Sequence, residues 1–401
     1  MDFYGYMRPN GKAGARNYVL LLPVNRSLNF IASNVERMTR NTRHFEIPAE
    51  TGRTEVDREV IARTLIGLMN NANVGGIVLL AVKSGAGSAY KNMCVERFEE
   101  EARKTGKPFR IVYLTNVGGS YNMLGETLRL TREVLLEVSD FRRENCPLSA
   151  LTLGVKCGTS DATSGIAGNP CVGAAFDQLI RAGGTAFFSE TTEIIGAEDL
   201  VAKRAVNESV AKKILSAAKH WEDKAKATGE DIRKINPIPA NIAAGISSLE
   251  EKSLGAIAKS GTSPIQDVLK YAEMPKGSGL YFVDSWMSSL SLPLCLTACG
   301  ATIMLYQMGG GKIAQHPMMP SINPTVVSPF LYLTGNAIAY SRAPDNFDFD
   351  ASPIMTEGAS IPEMGTKLLE HLSAIASGTM TKMETLNYAE QLELYMEGPV
   401  L

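Results

Sequence analysis

The side chains that could carry out chemistry in this sequence are grouped where four hydrophobic, strand-like segments end. Lys156-Cys157 follows the first segment, and the Glu-Thr-Thr-Glu run at 190–193 follows the second. Asp284-Ser285 and residues 309–312 follow the other two. In open α/β sheets, ligands bind outside the carboxyl ends of the strands. One polar strand end would be an ordinary loop, but four of them together favour a ligand pocket.

The stretch VKCGTSDATSGIAGNP (155–170) is rich in small and polar residues. Its glycines allow the backbone to turn tightly or to approach a ligand. Pro170 is typical of the first turn of a helix, and the N-terminus of that helix would offer free N–H groups to a carboxylate. Cys157 and Asp161 are therefore candidate metal ligands or a catalytic pair, although a lone cysteine also packs well as a small buried thiol.

Glu190, Glu193 and His316 are further candidates. Glu190 and Glu193 are three residues apart, so they would share one face of a helix, or converge on one cation from a loop. Helix capping or solvation would explain them as well. His316 lies in a glycine- and proline-rich loop, which makes it a candidate general acid or base, or else a structural residue.

Spacing and composition argue against several other kinds of function. The four histidines are not spaced as in a self-contained zinc site. No G-x-G-x-x-G follows the first strand, and MGGGK (308–312) lacks the spacing of a phosphate-binding loop, so we expect no nucleotide cofactor. A formal net charge of −2 gives no electrostatic basis for binding nucleic acid or an anionic membrane.

Composition and sequence pattern also indicate the cellular compartment of the protein. No apolar run reaches the roughly 18–20 residues that a membrane helix needs. The start of the chain lacks the basic and apolar regions of a signal peptide. Six scattered cysteines are too sparse for a disulfide scaffold. We therefore expect a cytoplasmic protein.

The hydrophobic pattern predicts the elements that position these groups. Before residue 146, apolar strand-like runs alternate with amphipathic helices, which indicates a parallel sheet covered on both faces. We expect an α/β protein with a Rossmann-like N-terminal lobe at 1–146, a boundary near 139–149 and a larger catalytic α/β lobe at 147–401. The expected strands are 18–24, 44–49, 76–82, 109–115, 150–156, 185–190, 279–285 and 302–308, and residues 235–245 are expected to be a loop.

Four long blocks in one order carry a family resemblance. They are GYMRPNGKAGARNYVLLLPV (5–24), KCGTSDATSGIAGNPCVGAAFD (156–177), FFSETTEIIGAEDLVAKRA (187–205) and NIAAGISSLEEKSLGAIAKSG (241–261). Together they resemble the altronate/galactarate dehydratase family. The resemblance implies the catalytic large subunit of a lyase. Such an enzyme removes the proton from carbon 2 of a hydroxy acid and expels hydroxide or sulfite from carbon 3, giving a 2-keto acid.

The resemblance also implies roles for individual residues. A divalent metal, iron(II) or manganese(II) before magnesium or calcium, would bind the carboxylate and 2-hydroxyl of the acid. The metal ligands are expected to be Cys157, Glu190 and Glu193. The expected catalytic residues are Cys157, Asp161, Lys156, His316 and Glu193. The expected substrate-binding residues are Arg16, Asn17, Arg53, Ser160, Asn169, Asn241 and Lys252.

Family members carry a small N-terminal SAF-type domain, fused or as a separate subunit, whereas this chain starts directly at GYMRPNGK. The resemblance therefore implies a separate small subunit, in an oligomer. The chain departs from the family at Asn25-Arg26-Ser27, in place of Asn-Cys-Ser, and at Ala49-Glu50, in place of a histidine. It also departs at 81–88, in place of a Gly-Cys-Glu-like element, and at Asn323, near a usual lysine. These changes bear on the substrate and the metal.

Two other functions fit the same residues. An epimerase or isomerase would use the same enolisation without losing a leaving group, and deuterium would then enter carbon 2 without elimination. A degenerate large subunit would only bind an acid or support its partner. The missing histidine and lysine favour that alternative, and it would show as ligand-induced thermal stabilisation without turnover.

Overall fold

The computed structural model describes residues 1–83, 90–310, 323–386 and 393–399. Two parallel sheets flanked by helices dominate it, so the predicted α/β class is confirmed. A third, small sheet is antiparallel. Among the described residues, no helix is both long enough and apolar enough to cross a membrane.

The N-terminal lobe alternates strands and helices, as the sequence predicts. Its strands β3, β4, β5 and β6 form a parallel sheet of order β4-β3-β5-β6, and β5 is buried along its whole length because helices cover both faces. The elements are β1 (Asp2–Met7), β2 (Ala13–Gly14), β3 (Tyr18–Pro23), α1 (Asn29–Met38), β4 (Thr42–His44), α2 (Glu55–Asn70), β5 (Val74–Ala81), α3 (Val95–Lys104), β6 (Phe109–Tyr113), α4 (Leu114–Val117), α5 (Ser120–Ser139) and β7 (Glu144–Pro147).

The C-terminal lobe begins with strand β8 (Thr152–Gly158) and its first helix, α6 (Asn169–Arg181). Next come β9 (Thr185–Phe188), α7 (Thr191–Ile194), α8 (Glu198–Ala202), α9 (Glu208–Ala227), α10 (Ile232–Ile235), α11 (Pro239–Ala243), α12 (Leu249–Ile257), β10 (Ile265–Leu269), β11 (Gly279–Val283) and α13 (Ser291–Cys299). The last elements are β12 (Ile303–Met308), β13 (Phe330–Thr334), α14 (Ala337–Arg342), β14 (Phe349–Asp350), α15 (Pro353–Thr356), α16 (Ile361–Ala376) and α17 (Lys382–Thr385).

Segment 235–245, expected to be a loop, holds the helix α11 and the end of α10. Pro239 occupies the first turn of α11, where its missing N–H and fixed φ do no harm. The short helix was not visible in the sequence because its five residues are too few to show a helical period.

The segment expected to be a boundary contains β7, which pairs with β1 in the small antiparallel sheet. The chain start is thereby fastened to the segment between the lobes. The lobes also share a hydrophobic core, because the fully buried helix α13 packs against α2. The amide of Asn71 donates to the carbonyls of Thr297 and Ala301, both at 2.9 Å. The two lobes are therefore packed as one body.

The large sheet has the order β10-β11-β9-β8-β12-β13-β14. The chain leaves β8 towards β9 on one side and later returns to β12 on the other side. The carboxyl ends of β8 and β12 therefore flank a topological switch point, the place where ligands bind in such sheets. Cys157 is paired with Gln307, and Gly158 with Met308, at this point.

The contact between α2 and α13 depends on Gly67. A Cβ added there would lie 2.2 Å from the carbonyl oxygen of Ala298. We expect Gly67→Ala to force the helices apart and lower the free energy of unfolding by about 1–3 kcal/mol, as overpacking usually does. Denaturant unfolding measures this effect.

Gly125→Ala is the matched control, because Gly125 also lies within a helix and an added Cβ there meets nothing within 4 Å. It should stabilise the protein by about 0.4–1 kcal/mol. Equal effects of the two substitutions would contradict the close contact between the helices.

Candidate active site

The candidate site lies at the carboxyl ends of four neighbouring strands, β11, β9, β8 and β12. These are the four strand ends at which the sequence places polar clusters. Buried apolar residues such as Val155 and Phe188 anchor the strands in the core just before the polar residues begin. Because the strands are parallel, the described residues of the four clusters, which exclude 311 and 312, share one edge of the sheet.

Glu190 is the central residue of the site. It is 1% exposed, and its φ of 72° is in the left-handed region that non-glycine residues rarely adopt. Lys259 Nζ lies 2.6 Å from Oε2, and Lys156 Nζ lies 3.5 Å from Oε1. The backbone N–H of Cys157 also donates to Oε2, at 3.1 Å. These contacts hold the carboxylate, and with it the strained backbone, in place.

The contacts among Glu190, Lys259 and Lys156 determine which of these groups are charged. Burial raises the pKa of Glu190, but Lys259 and Lys156 lower it by more, so the pKa lies below its usual range. Burial lowers the pKa of Lys259, but Cys157 and Glu190 raise it by more, and the net shift is upward. The pKa of Lys156 is likewise lowered by burial and raised by more through Tyr306 and Glu190. At neutral pH the carboxylate is ionised and both amines are protonated.

Cys157 is a neutral thiol in this setting. Burial, and next the charge of Glu190, raise the pKa of its thiol to about 11, although Lys259 opposes the shift. Its Sγ lies 3.4 Å from Glu190 Oε2 and 3.2 Å from Lys259 Nζ. A thiol in this state is neither a good nucleophile nor a ready metal ligand.

The three predicted metal ligands, Cys157, Glu190 and Glu193, do not surround an open cation position. The ammonium group of Lys259 lies against both Cys157 and Glu190, where a cation shared by them would sit. Within the described ranges, no three His, Cys, Asp or Glu side chains form a group that could hold a metal ion. These residues therefore do not fit the predicted metal site, and metal dependence stays a prediction.

Glu193 and Lys252 form a second buried ion pair beside the first. Lys252 Nζ lies 3.2 Å from Glu193 Oε1 and donates to Asn236 Oδ1 at 2.5 Å. The other carboxylate oxygen of Glu193, Oε2, is buried without a hydrogen-bond partner among the described residues. The charge of Glu193 also contributes to raising the pKa values of Lys156 and Lys259. Glu193 therefore belongs to the same electrostatic cluster and keeps one oxygen free.

Asp161 anchors the loop that follows β8. Its Oδ1 accepts bonds from the Thr163 hydroxyl at 2.6 Å and the Ser164 N–H at 3.1 Å. Its Oδ2 accepts bonds from the Gly310 N–H at 2.6 Å and the Asn336 amide at 2.9 Å. A carboxylate with this many donors holds the ends of β8, β12 and β13 together, while its predicted catalytic role stays a prediction.

The start of the first helix differs from expectation. A π-helical turn, Ser164–Gly168, runs directly into α6, and the N–H of Asn169 donates to the Ser164 carbonyl. The free N–H groups therefore lie near residues 162–164, where Asp161 caps them, and Pro170 is inside the helical run. Single π turns often mark functional sites because they reposition side chains.

Two predicted binding residues shape the loops around the cluster. The amide of Asn241 donates to the carbonyl of Ser160 at 3.1 Å, which ties α11 to the loop after β8. The amide of Asn169 donates to the Gly255 carbonyl of α12 at 2.8 Å. Gly158 to Ser160, beside these contacts, are half-buried.

Several buried polar atoms around this edge lack a hydrogen-bond partner in the described part of the chain. Such atoms are rare inside proteins, because an unpaired buried donor or acceptor is costly. A polar ligand or water that bonded to these atoms would remove this cost. Besides Glu193 Oε2 they are Thr192 Oγ1, Asn169 Oδ1, Ser285 Oγ and both amide atoms of Gln307.

Three other predicted binding residues lie elsewhere. Both oxygens of Glu384 accept bonds from the Arg16 guanidinium at 2.7 Å, so Arg16 fastens the segment near α17 to the N-terminal lobe. Asn17 accepts a bond from Arg8 and donates to the Val138 carbonyl. Arg53 donates to the Ala49 carbonyl at 3.4 Å. His316 lies outside the described residues.

The charges of the cluster do not balance. In the three ion-pair contacts of the described side chains, three ammonium groups (Lys156, Lys252 and Lys259) accompany two carboxylates (Glu190 and Glu193). One positive charge is left over in a buried setting where charge is costly. An anionic ligand would neutralise it.

Lys259 is the residue that sequence patterns concealed. It lies 102 positions after Cys157 in SLEEKSLGAIAKSG (248–261), which the sequence predicts as a helix ending at glycine, and a lysine is normally a solvated surface residue. Its one signal is the apolar run GAIA (255–258) directly before it. The sequence likewise presents Gln307 only as part of the strand expected at 302–308.

Comparison with known proteins shows which family the chain belongs to. Residues 148–399 match the family described as D-galactarate/altronate dehydratase, C-terminal. Residues 5–139 match D-galactarate dehydratase/altronate hydrolase, second domain. The chain belongs to the D-galactarate/altronate dehydratase family, as the four sequence blocks predict, and it is an enzyme of the lyase class.

Three named relatives are similar to this chain over most of its length. The chain is 32% identical to the (2R)-sulfolactate sulfo-lyase subunit beta of Chromohalobacter salexigens, over 97% of this chain and 96% of the relative. It is 29% identical to the altronate dehydratase of Bacillus subtilis, over 100% of this chain and 78% of the relative. It is 34% identical to the galactarate dehydratase (L-threo-forming) of Escherichia coli, over 70% of this chain and 52% of the relative.

The Glu190–Lys259 pair can be tested by a double-mutant cycle. Removing one partner of a buried pair leaves an uncompensated charge, so Glu190→Gln and Lys259→Met should each cost about 3–5 kcal/mol of stability. The double variant should cost less than the sum. Denaturant unfolding of the wild type, the two single variants and the double variant gives the coupling free energy of the pair. The control is the same cycle on the exposed Glu363–Lys367 pair, which should show no resolvable coupling free energy.

The directions of the two pKa shifts determine how the stability contributed by this pair depends on pH. Because the pKa of Glu190 is lowered on folding, its contribution is present above its unfolded pKa of about 4.3 and is lost as the pH falls through the folded value. The pKa of Lys259 is raised, so its contribution is lost only as the pH rises through its folded value. A coupling that did not weaken at any acidic pH at which the protein stays folded would argue against an ionised pair.

Proposed function

We propose that this enzyme removes the proton from carbon 2 of a small 2-hydroxy carboxylic acid and expels water or sulfite from carbon 3, giving a 2-keto acid. The observation that carries the proposal is the buried cluster with one surplus ammonium charge and one free carboxylate oxygen. An anionic acid would supply the missing negative charge. The free oxygen of Glu193 would accept the proton.

The lysines explain how such a proton could leave. When carbon 2 loses its proton, negative charge accumulates on the substrate carboxylate. Fixed positive groups in a water-poor site stabilise that charge without reorganisation. Lys156 and Lys259 remain protonated at neutral pH, so we assign them electrostatic stabilisation and not proton abstraction.

Glu193 is our candidate general base. Its Oε1 is held by Lys252, which orients the carboxylate, and its Oε2 is buried without a partner among the described residues. The proton passes from carbon 2 to Oε2, and the electron pair of that C–H bond forms the C2–C3 double bond. The bond from carbon 3 to the leaving group breaks, and its electron pair departs with sulfite, or with hydroxide, which takes up a proton from solvent to become water. The resulting enol then tautomerises to the 2-keto acid.

The leaving group and the subunits follow from the relatives by analogy. The relatives are named as a sulfo-lyase and as dehydratases, so both sulfite and water remain candidates. The relative that matches over 96% of its length is named as subunit beta. We propose that this chain is likewise the large subunit, working with a separate small SAF-type subunit in an oligomer.

The function is tested by supplying purified enzyme, together with its small subunit, with (2R)-sulfolactate, altronate and galactarate. We expect keto acid from at least one of them. Glu193→Gln should lower kcat by about 10²–10⁴-fold, the usual contribution of a positioned base. Glu250→Gln removes an exposed carboxylate of the neighbouring helix and should leave kcat unchanged.

Three outcomes would contradict this assignment. Full activity of Glu193→Gln would remove Glu193 as the base. Deuterium entering carbon 2 without loss of the leaving group would favour an epimerase or isomerase in place of a lyase. Binding of the acids without any turnover would favour a subunit that only binds its ligand.

Metal dependence is tested separately. The resemblance predicts that a chelator abolishes activity and that iron(II) or manganese(II) restores it. Because Cys157 Sγ lies against Lys259 and carries a thiol proton, Cys157→Ser should keep the metal content of the wild type. Elemental analysis of both proteins measures this, and loss of metal from Cys157→Ser would place the sulfur in the coordination shell.

A further inference from the structure

We propose that Gln307, beside Asn169, forms a neutral subsite that binds a hydroxyl group of the acid. This inference rests on the proposed function and assigns a specificity role to a residue that resembles an ordinary strand position in the sequence. Gln307 is fully buried on β12. Both its amide oxygen and its amide nitrogen lack partners in the described ranges.

Gln307 lies next to the charged cluster. In the parallel pairing of β12 with β8, Gln307 is opposite Cys157, and paired residues of neighbouring strands point to the same face of a sheet. Cys157 Sγ contacts Glu190 and Lys259 on that face. The backbones of Gln307 and Cys157 are therefore one strand spacing, about 4.8 Å, apart.

The π turn before α6 packs against Gln307, and the residue after it carries a second unpartnered group. A Cβ added at Gly168 would lie 2.3 Å from Gln307 Nε2, so the amide rests directly against this glycine. The next residue, Asn169, is 1% exposed, and its Oδ1 has no partner among the described residues. The absence of a side chain at Gly168 is what leaves room for the amide of Gln307.

The chemistry of these groups suits a hydroxyl better than a carboxylate. A hydroxyl both donates and accepts, and a glutamine amide offers one acceptor and two donors. The carboxylate of the acid has the lysines available to it. A buried amide left unpaired in the free enzyme would be paired when the acid is bound, so the subsite would reject analogues without the hydroxyl.

The experiment compares binding of two probe pairs that differ in hydroxyl groups: sulfolactate with 3-sulfopropanoate, and galactarate with adipate. Titration calorimetry on the wild-type complex should show preference for the hydroxylated member of at least one pair. Gln307→Met keeps the volume and removes both polar atoms. We expect it to reduce that preference about 10-fold or more and to raise the melting temperature, because an unpaired buried group is lost.

The control is Thr131→Val. Thr131 is also fully buried with an unpartnered hydroxyl, but it lies on α5 of the N-terminal lobe. Its substitution should alter the melting temperature alone. A second variant, Gly168→Ala, should displace the amide and reduce the preference without changing Gln307 itself.

The outcomes separate the two proposals. If Gln307→Met and Gly168→Ala both keep the wild-type preference, the subsite is overturned and the proposed lyase stands, with Gln307 bonded to water alone. If the wild-type complex neither binds nor converts any of these hydroxy acids, the proposed function itself fails, and the subsite fails with it. Loss of preference in both variants, with Thr131→Val unaffected, supports the subsite.

Discussion

The buried carboxylate of Glu190 is the interaction on which the rest of the site depends. It pairs with Lys259 and Lys156 and accepts the backbone N–H of Cys157. Taking these charges out of water is costly, and only close mutual contacts offset the cost. The left-handed backbone at Glu190 adds strain that the same contacts must hold. A site of this kind exists only when the surrounding fold fixes every partner.

The fold provides that support through the order of its strands. β9 and β8, which carry Glu190 and Lys156, are neighbours in the large sheet, and β12 lies on the other side of β8. Lys259 arrives from the turn after α12, which packs against the π turn before α6. The N-terminal lobe packs on this assembly through α2 and α13. The polar groups can therefore stay buried and charged because apolar packing holds each element in place.

The proposed function follows from what these contacts leave unsatisfied. Three ion-pair contacts join three ammonium groups to two carboxylates, and Glu193, Asn169 and Gln307 keep buried atoms without partners in the described part of the chain. In our proposal, the excess positive charge selects an anion, the free carboxylate oxygen removes the proton and the neutral amide binds a hydroxyl. The family of sugar-acid and sulfolactate lyases fits this combination of needs. The metal, in contrast, finds no matching set of ligands among the described residues.

The sequence by itself determined the α/β class, most strands of both sheets and the polar strand ends, because burial on two faces imposes long apolar runs and ligand sites interrupt them. It did not reveal β1, β10 or β13, although β10 follows Pro264 and β13 lies between Pro329 and Gly335. Only the tertiary structure decided the partner of each charge. Lys259 reads as a surface lysine, Arg16 as a substrate donor and Cys157 as a metal ligand until packing places them. Local patterns report burial, whereas pairing between residues a hundred positions apart depends on how the chain crosses the sheet.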